Sequence, residues 1–212
     1  MNTSDILHAY LEQPDNDTFF SSGNSALIWL ERCGYGTGIA SGINGKLAAT
    51  DQYRIELSGG GGITLKTAAK TITLPHPADK TAYDDALDDA LRAIAGFIFP
   101  AYRLCWCKES LGSDSLAFIV LPDDDYHHLR GQHGPDKFSY YFPLVAAEAR
   151  LFALSRAETL EILRQREDGY AAYHERQERL LALEAQYRRG EIGRSTYRAR
   201  KNALEGIDRE CP

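Results

Sequence analysis

The opening residues 4–13, SDILHAYLEQ, predict a short helix capped by Ser4 or Asp5 and ended before Pro14. The apolar pattern then changes to that of strands. ALIWLERC is an apolar run between Gly23 and Gly34, and DQYRIELS alternates so that Tyr53, Ile55 and Leu57 share one face. GITLKT and KTITLP repeat a Thr, Ile and Leu vocabulary between glycines and prolines, with GGGG at 59–62 as a hairpin tip. Together these runs predict a meander of four or five antiparallel strands.

Between Asp79 and Phe97 the period lengthens. Tyr83, Leu87, Leu91 and Ile94 fall at i, i+4, i+8 and i+11, the stripe of an amphipathic helix. Asp84, Asp85, Asp88 and Asp89 lie opposite that stripe and read as a solvated face. Strand character resumes with YRLCWCK and SLAFIVLP, a hairpin closed through ESLGSD, and with KFSYYFPL as a third strand after the polar segment DDDYHHLRGQHGPD.

From Leu144 onward the strand vocabulary stops. Ser155 and Glu158 in SRAE have capping-box spacing, so one helix ends and another begins near Ser155. Beyond it Leu160, Leu163, Tyr170, Tyr173, Leu180 and Leu183 come in pairs ten residues apart. At 3.6 residues per turn that spacing drifts by roughly 80° each time, which no straight seam tolerates. A kink at Gly169 would realign the stripe. The expected organisation is an α+β domain over residues 1–143, an antiparallel sheet with one or two packed helices. An extended α-helical arm over residues 144–212, ending in a helical hairpin, completes the chain.

The hairpin is the most informative stretch. In LLALEAQYRRGEIGRSTYRARKNALEG, Leu180, Leu183 and Tyr187 form a stripe that stops at Gly190, where a left-handed residue can close the helix. Ile192 turns over the corner, and Tyr197 and Leu204, two turns apart, face Leu183 and Tyr187 from a second helix. This order of residues, with Arg200 and Lys201 before Leu204, resembles the SHOCT family, short C-terminal helical hairpins carried by otherwise unrelated bacterial proteins. The resemblance covers 27 residues and departs from the family pattern at two places: Gly193 stands where a capping Thr is usual, and Thr196 where an acidic residue is usual. The second helix therefore lacks a capping box, unless Ser195 caps it from a later start. The resemblance implies association, by oligomerisation or docking onto a partner, through Leu180, Leu183, Tyr187, Ile192, Tyr197 and Leu204, and it implies no catalysis.

Charge sharpens the division. Residues 1–149 hold 11 basic and 19 acidic side chains, whereas residues 150–212 hold 13 basic and 11 acidic, twelve of the thirteen being arginine. An acidic front repels phosphate backbones, so nucleic acid is not expected as a main ligand, even with Arg188, Arg189, Arg194, Arg198 and Arg200 near the end. It suits a basic protein partner instead, as an inhibitor or immunity-type protein would need. No run of eighteen apolar residues occurs and the first residues lack a signal-peptide pattern, so no membrane span and a cytoplasmic location are expected. Cys33, Cys105, Cys107 and Cys211 are then free thiols, with Cys105 and Cys107 on one face of their strand as small buried hydrophobes.

Two segments carry candidate chemistry. In DDDYHHLRGQHGPD, Asp124, His127, His128 and His133 supply imidazole and carboxylate, ligands suited to a divalent metal such as zinc. The same segment reads as a helix start with carboxylates at the positive end of the dipole. GYGTGIASGINGK fits neither phosphate-binding fingerprint: no Ser or Thr follows Lys46, and Gly34, Gly36 and Gly38 miss the third spacing. Its glycines predict turns and bulges. A non-enzymatic interaction protein, self-associating or docking onto a protein partner and without a cofactor, is the leading expectation. A metal-dependent hydrolase using the segment 123–133 is the alternative.

Overall fold

The computed structural model describes residues 2–31, 36–59, 61–75, 83–112 and 115–205. Cys33, Gly34 and Cys211 lie outside them, as do residues 79–82 at the start of the expected acidic helix. The chain divides into two compact units, Met1–Leu160 and Glu161–Pro212. The fold is α+β, with two small antiparallel sheets and a long C-terminal helix followed by a short one.

The first unit opens with α1 (Thr3–Glu12) and the single turn α2 (Asn16–Phe19). The cap of α1 is Asn2, not Ser4 or Asp5. Asn2 accepts from the Asp5 amide at 2.8 Å while Asp5 reaches back to the Asn2 amide, so the expected cap residue is the third member of a capping box.

β1 (Ile28–Glu31) does not join the meander. It pairs with β6 (Ser115–Pro122), which also pairs with β5 (Tyr102–Trp106), giving a sheet in the order β1-β6-β5. The meander is three-stranded: β2 (Arg54–Leu57), β3 (Ile63–Lys66) and β4 (Thr71–Leu74). Its shared face is incomplete, because Tyr53 is buried but Leu57 is exposed.

Between β1 and β2 the glycine-rich segment forms a helix, α3 (Thr37–Asn44), where turns were expected. Ile39, Ala40 and Ile43 are its buried residues, a helical repeat that outweighs the poor propensity of its glycines once it packs on β1 and β2. Gly36 caps this helix and Gly38 lies in its first turn, yet β1 belongs to an antiparallel sheet, which is not a dinucleotide-binding crossover.

α4 (Tyr83–Ile98) buries Leu87, Leu91 and Ile94 as its stripe predicts, and packs against both β4 and β5. Its acidic side is not simply solvated. Asp88 is 2% exposed and accepts three backbone N–H groups, from Leu151 at 2.9 Å, Phe152 at 3.0 Å and Ala153 at 3.1 Å. Asp85 pairs with Arg150 at 3.2 Å, and Arg92 bridges Asp89 and the Ala149 carbonyl. The carboxylates of α4 thus fasten an extended strap, residues 144–155, that carries no helix where the first helix of the arm was expected, its backbone amides being spent on Asp88 instead.

The β5–β6 hairpin forms as expected, with a 3-10 turn at Lys108–Ser110 inside its connection. After β6 come α5 (Asp123–His133) and α6 (Pro135–Tyr141). α6 replaces the third strand read in KFSYYFPL. Pro135 sits at its first turn, and Phe138, Tyr141 and Phe142 are buried at i, i+3 and i+4, so helical packing overrides the strand preference of aromatic residues. Only the end of that run meets the sheet: Trp106 donates to the Pro143 carbonyl, Leu144 bridges Cys105, and Val145 donates to the Leu104 carbonyl.

The core follows from these placements. β6 hides an unbroken apolar run from Leu116 to Leu121, and rings of Tyr10, Phe19, Phe138, Tyr141 and Phe142 interlock α1, α2 and α6. Each large side chain removed from water contributes about 1.5–3 kcal/mol. Cys105 and Cys107 are fully buried, and desolvation pushes both thiols well above their usual range, so they pack as apolar groups.

Candidate functional site

The second unit is built by α7 (Arg156–Arg188), most of which lies in it, and α8 (Arg194–Glu205). α7 starts at the expected capping box: Glu158 donates its amide to the Ser155 hydroxyl at 3.3 Å, and the Ser155 amide donates to the Glu158 carboxylate at 2.8 Å. Hydrogen bonding from Ser155 to the carboxylate, from its side chain first and then from its backbone amide, holds the Glu158 carboxyl below its ordinary value.

The helix breaks where the ten-residue pairing demands it. Gly169 has φ 75° and ψ 169°, outside helical space, and Arg176 pairs with Asp168 beside it. Further along, Glu175 with Arg179 at 2.6 Å and Glu184 with Arg188 at 2.7 Å support the exposed side.

α7 ends in a Schellman motif. Gly190, at φ 75°, donates to the Tyr187 carbonyl at 3.0 Å, and Glu191 donates to the Gln186 carbonyl at 3.0 Å. α8 then begins at Arg194, with Tyr197 donating to the Gly193 carbonyl at 3.0 Å. It does not wait for Ser195 to cap a later start. Across the corner Tyr187 and Tyr197 stack, ring centroids 4.7 Å apart and planes 18° from parallel.

Of the six hairpin residues singled out, Leu183 alone is buried. Leu180, Ile192, Tyr197 and Leu204 are half-buried, Tyr187 is 38% exposed, and neighbouring Leu181 is 66% exposed. Arg194, Arg198 and Arg200 add a row of exposed cations along α8.

The second candidate is the histidine-rich α5. Asp123 at its start pairs with Arg103 at 2.5 Å and lies 3.5 Å from His127, and Asp125 accepts from the Ser4 hydroxyl at 2.7 Å. Asp124, His127 and His128 are all exposed. The expected metal set of Asp124, His127, His128 and His133 is therefore not what converges. His133, on the last turn, faces α1 instead: its Nε2 lies 2.9 Å from His8 Nδ1, and its Nδ1 lies 3.4 Å from a Glu12 oxygen.

The His133 side chain is 3% exposed, while Glu12 remains 62% exposed. Burial, then the His8 ring, pushes His133 below the usual imidazole value; Glu12 opposes this and Lys137 adds to it. The carboxylate favours a proton on Nδ1 of His133, which leaves Nε2 to accept from His8. Among the described residues, His8, Glu12 and His133 are the group whose ligand atoms all lie within 4.8 Å of one another. His8 and Glu12 escape a reading confined to the 123–133 segment. Their i, i+4 spacing on a predicted helix is the half of the signal that the sequence does carry.

No helix among the described residues is long and apolar enough to cross a membrane. In comparisons with known proteins, no family model matches the chain, and no curated protein or solved structure matches it.

Proposed function

We propose that this is a non-enzymatic, cytoplasmic interaction protein that self-associates through its C-terminal helices, in the manner that the SHOCT-like spacing of the hairpin implies. The observation that carries the reading is the apolar surface left on α7: Leu181 and Tyr187 stay exposed and Leu183 is the one buried residue of the helix. Helices of this length gain most of their stability from a packed apolar face, so such a face favours a covering surface.

A second copy is the partner of choice on charge. Residues 1–160 carry 13 basic and 20 acidic side chains, while α8 presents Arg194, Arg198 and Arg200 outward. One chain thus offers both signs to another. The hydrolase alternative would rest on His133, since Asp124, His127 and His128 are exposed while His133 meets His8 and Glu12.

Sedimentation of the full-length protein at micromolar concentration tests this. A dimer or larger species is expected, converted to monomer by Leu181→Glu with Tyr187→Glu while helicity is retained. A monomer for the unaltered chain would overturn the reading.

A further inference from the structure

We infer that His8, Glu12 and His133 form a binding site for a divalent transition ion of the zinc class, joining α1 to the end of α5. The inference is independent of the association proposed for the C-terminal helices.

The donors are of the right kind. Two imidazoles and one carboxylate suit zinc and its neighbours, whereas calcium and magnesium prefer sites built wholly from oxygen. Three protein ligands also leave a fourth tetrahedral position for water or another donor. Spacing agrees as well. Metal–ligand bonds of about 2.0–2.2 Å place tetrahedral donors about 3.4 Å from one another. His8 Nδ1 and His133 Nε2 are 2.9 Å apart, and all three residues offer atoms within 4.8 Å of one another. Small side-chain rotations on fixed backbones admit the ion.

The backbones are fixed by more than the cluster. His8 and Glu12 stand one turn apart on α1, and the Ser4 hydroxyl donates to Asp125 at 2.7 Å, so α1 and α5 are already in register four residues before His8. The ion replaces the hydrogen bond between the two rings with two metal–nitrogen bonds. A proton on His8 Nδ1 moves to Nε2, keeping the ring neutral and freeing the lone pair. Glu12 either completes the donor set or holds Nδ1–H of His133, the arrangement that orients a metal-bound imidazole from behind. Lys137 is the neighbouring cation that acts against the site, and the Glu12 charge offsets it.

The test is titration of the metal-free full-length protein with zinc, followed by calorimetry, and with cobalt, followed by its visible absorption. One equivalent should bind with a dissociation constant of micromolar or tighter, cobalt should show the intense bands of a four-coordinate ion, and the melting temperature should rise. His8→Ala and His133→Ala should each weaken binding by at least about tenfold, and Glu12→Gln by about tenfold. His127→Ala and His128→Ala should bind like the unaltered chain. Because His133 is enclosed and its replacement could unfold α5, the half-exposed His8 carries the decision: His8→Ala should keep its circular dichroism and lose the metal-induced rise in melting temperature. No stoichiometric binding to the unaltered chain would overturn the inference. So would binding that survives His8→Ala at full affinity, or that falls equally in His128→Ala.

Discussion

In β6 six successive side chains are buried, whereas in the 33 residues of α7 a single one is. The two units of this protein are held by different physics. The first removes rings and branched aliphatics from water on both faces of a strand, so its stability is collective and each large side chain touches many others. The second is held locally, by a left-handed glycine, pairs of opposite charge one turn apart and one stacked tyrosine pair. Terms of that kind contribute a few tenths to about one kcal/mol each. A fold assembled from such terms stays responsive to whatever covers it.

Substitutions break the comparison open in order of size. Phe118→Ala, in the middle of β6, should cost about 3–5 kcal/mol in denaturant unfolding, since it leaves a cavity that rigid neighbours cannot fill. Asp88→Ala follows at about 3 kcal/mol, because two buried amides and a part-buried one lose their acceptor; Asp88→Asn, which keeps one acceptor oxygen, should cost less. In the second unit Gly190→Ala should cost only about 1 kcal/mol, the strain of a side chain at positive φ, and should appear as lost helicity rather than as a shift of the first unit's transition. If Gly190→Ala moved that transition as far as Phe118→Ala, the two units would not be energetically distinct.

The smallest effect is a pH dependence at the start of α7. Glu158 titrates below its ordinary value of 4.5, so the ionised carboxylate is the form favoured by folding. The capping box is fully present above that ordinary value and is lost as pH falls through the depressed one. Amide exchange at Thr159 and its neighbours should quicken over that acidic window, and Glu158→Gln should flatten the dependence.

What the sequence disclosed divides along the same line. Local signals were readable: the stripe of Leu87, Leu91 and Ile94, the Ser155 and Glu158 box, the break at Gly169 and the stop at Gly190 depend on residues a few positions apart. Non-local ones were not. Nothing near Ile28 says that it will lie opposite Phe118, so its pattern alone places β1 with the strands that follow it. Asp88 looked like one more surface carboxylate because its three amide partners arrive 63–65 residues later. α6 is too short for its period to outvote the strand preference of its aromatics. His133 stood out beside His127 and His128, but its true neighbours, His8 and Glu12, are more than 120 residues away in the chain.

The grip of Asp88 on Leu151, Phe152 and Ala153 also decides where the protein can be cut. A chain severed ahead of these residues would leave the buried Asp88 carboxyl without its three amide partners and uncover the site where Phe152 meets Phe118. Any fragment meant to carry the sheets by itself has to keep its tail through Ala153, because Leu151 and Phe152 belong to the first unit's interior.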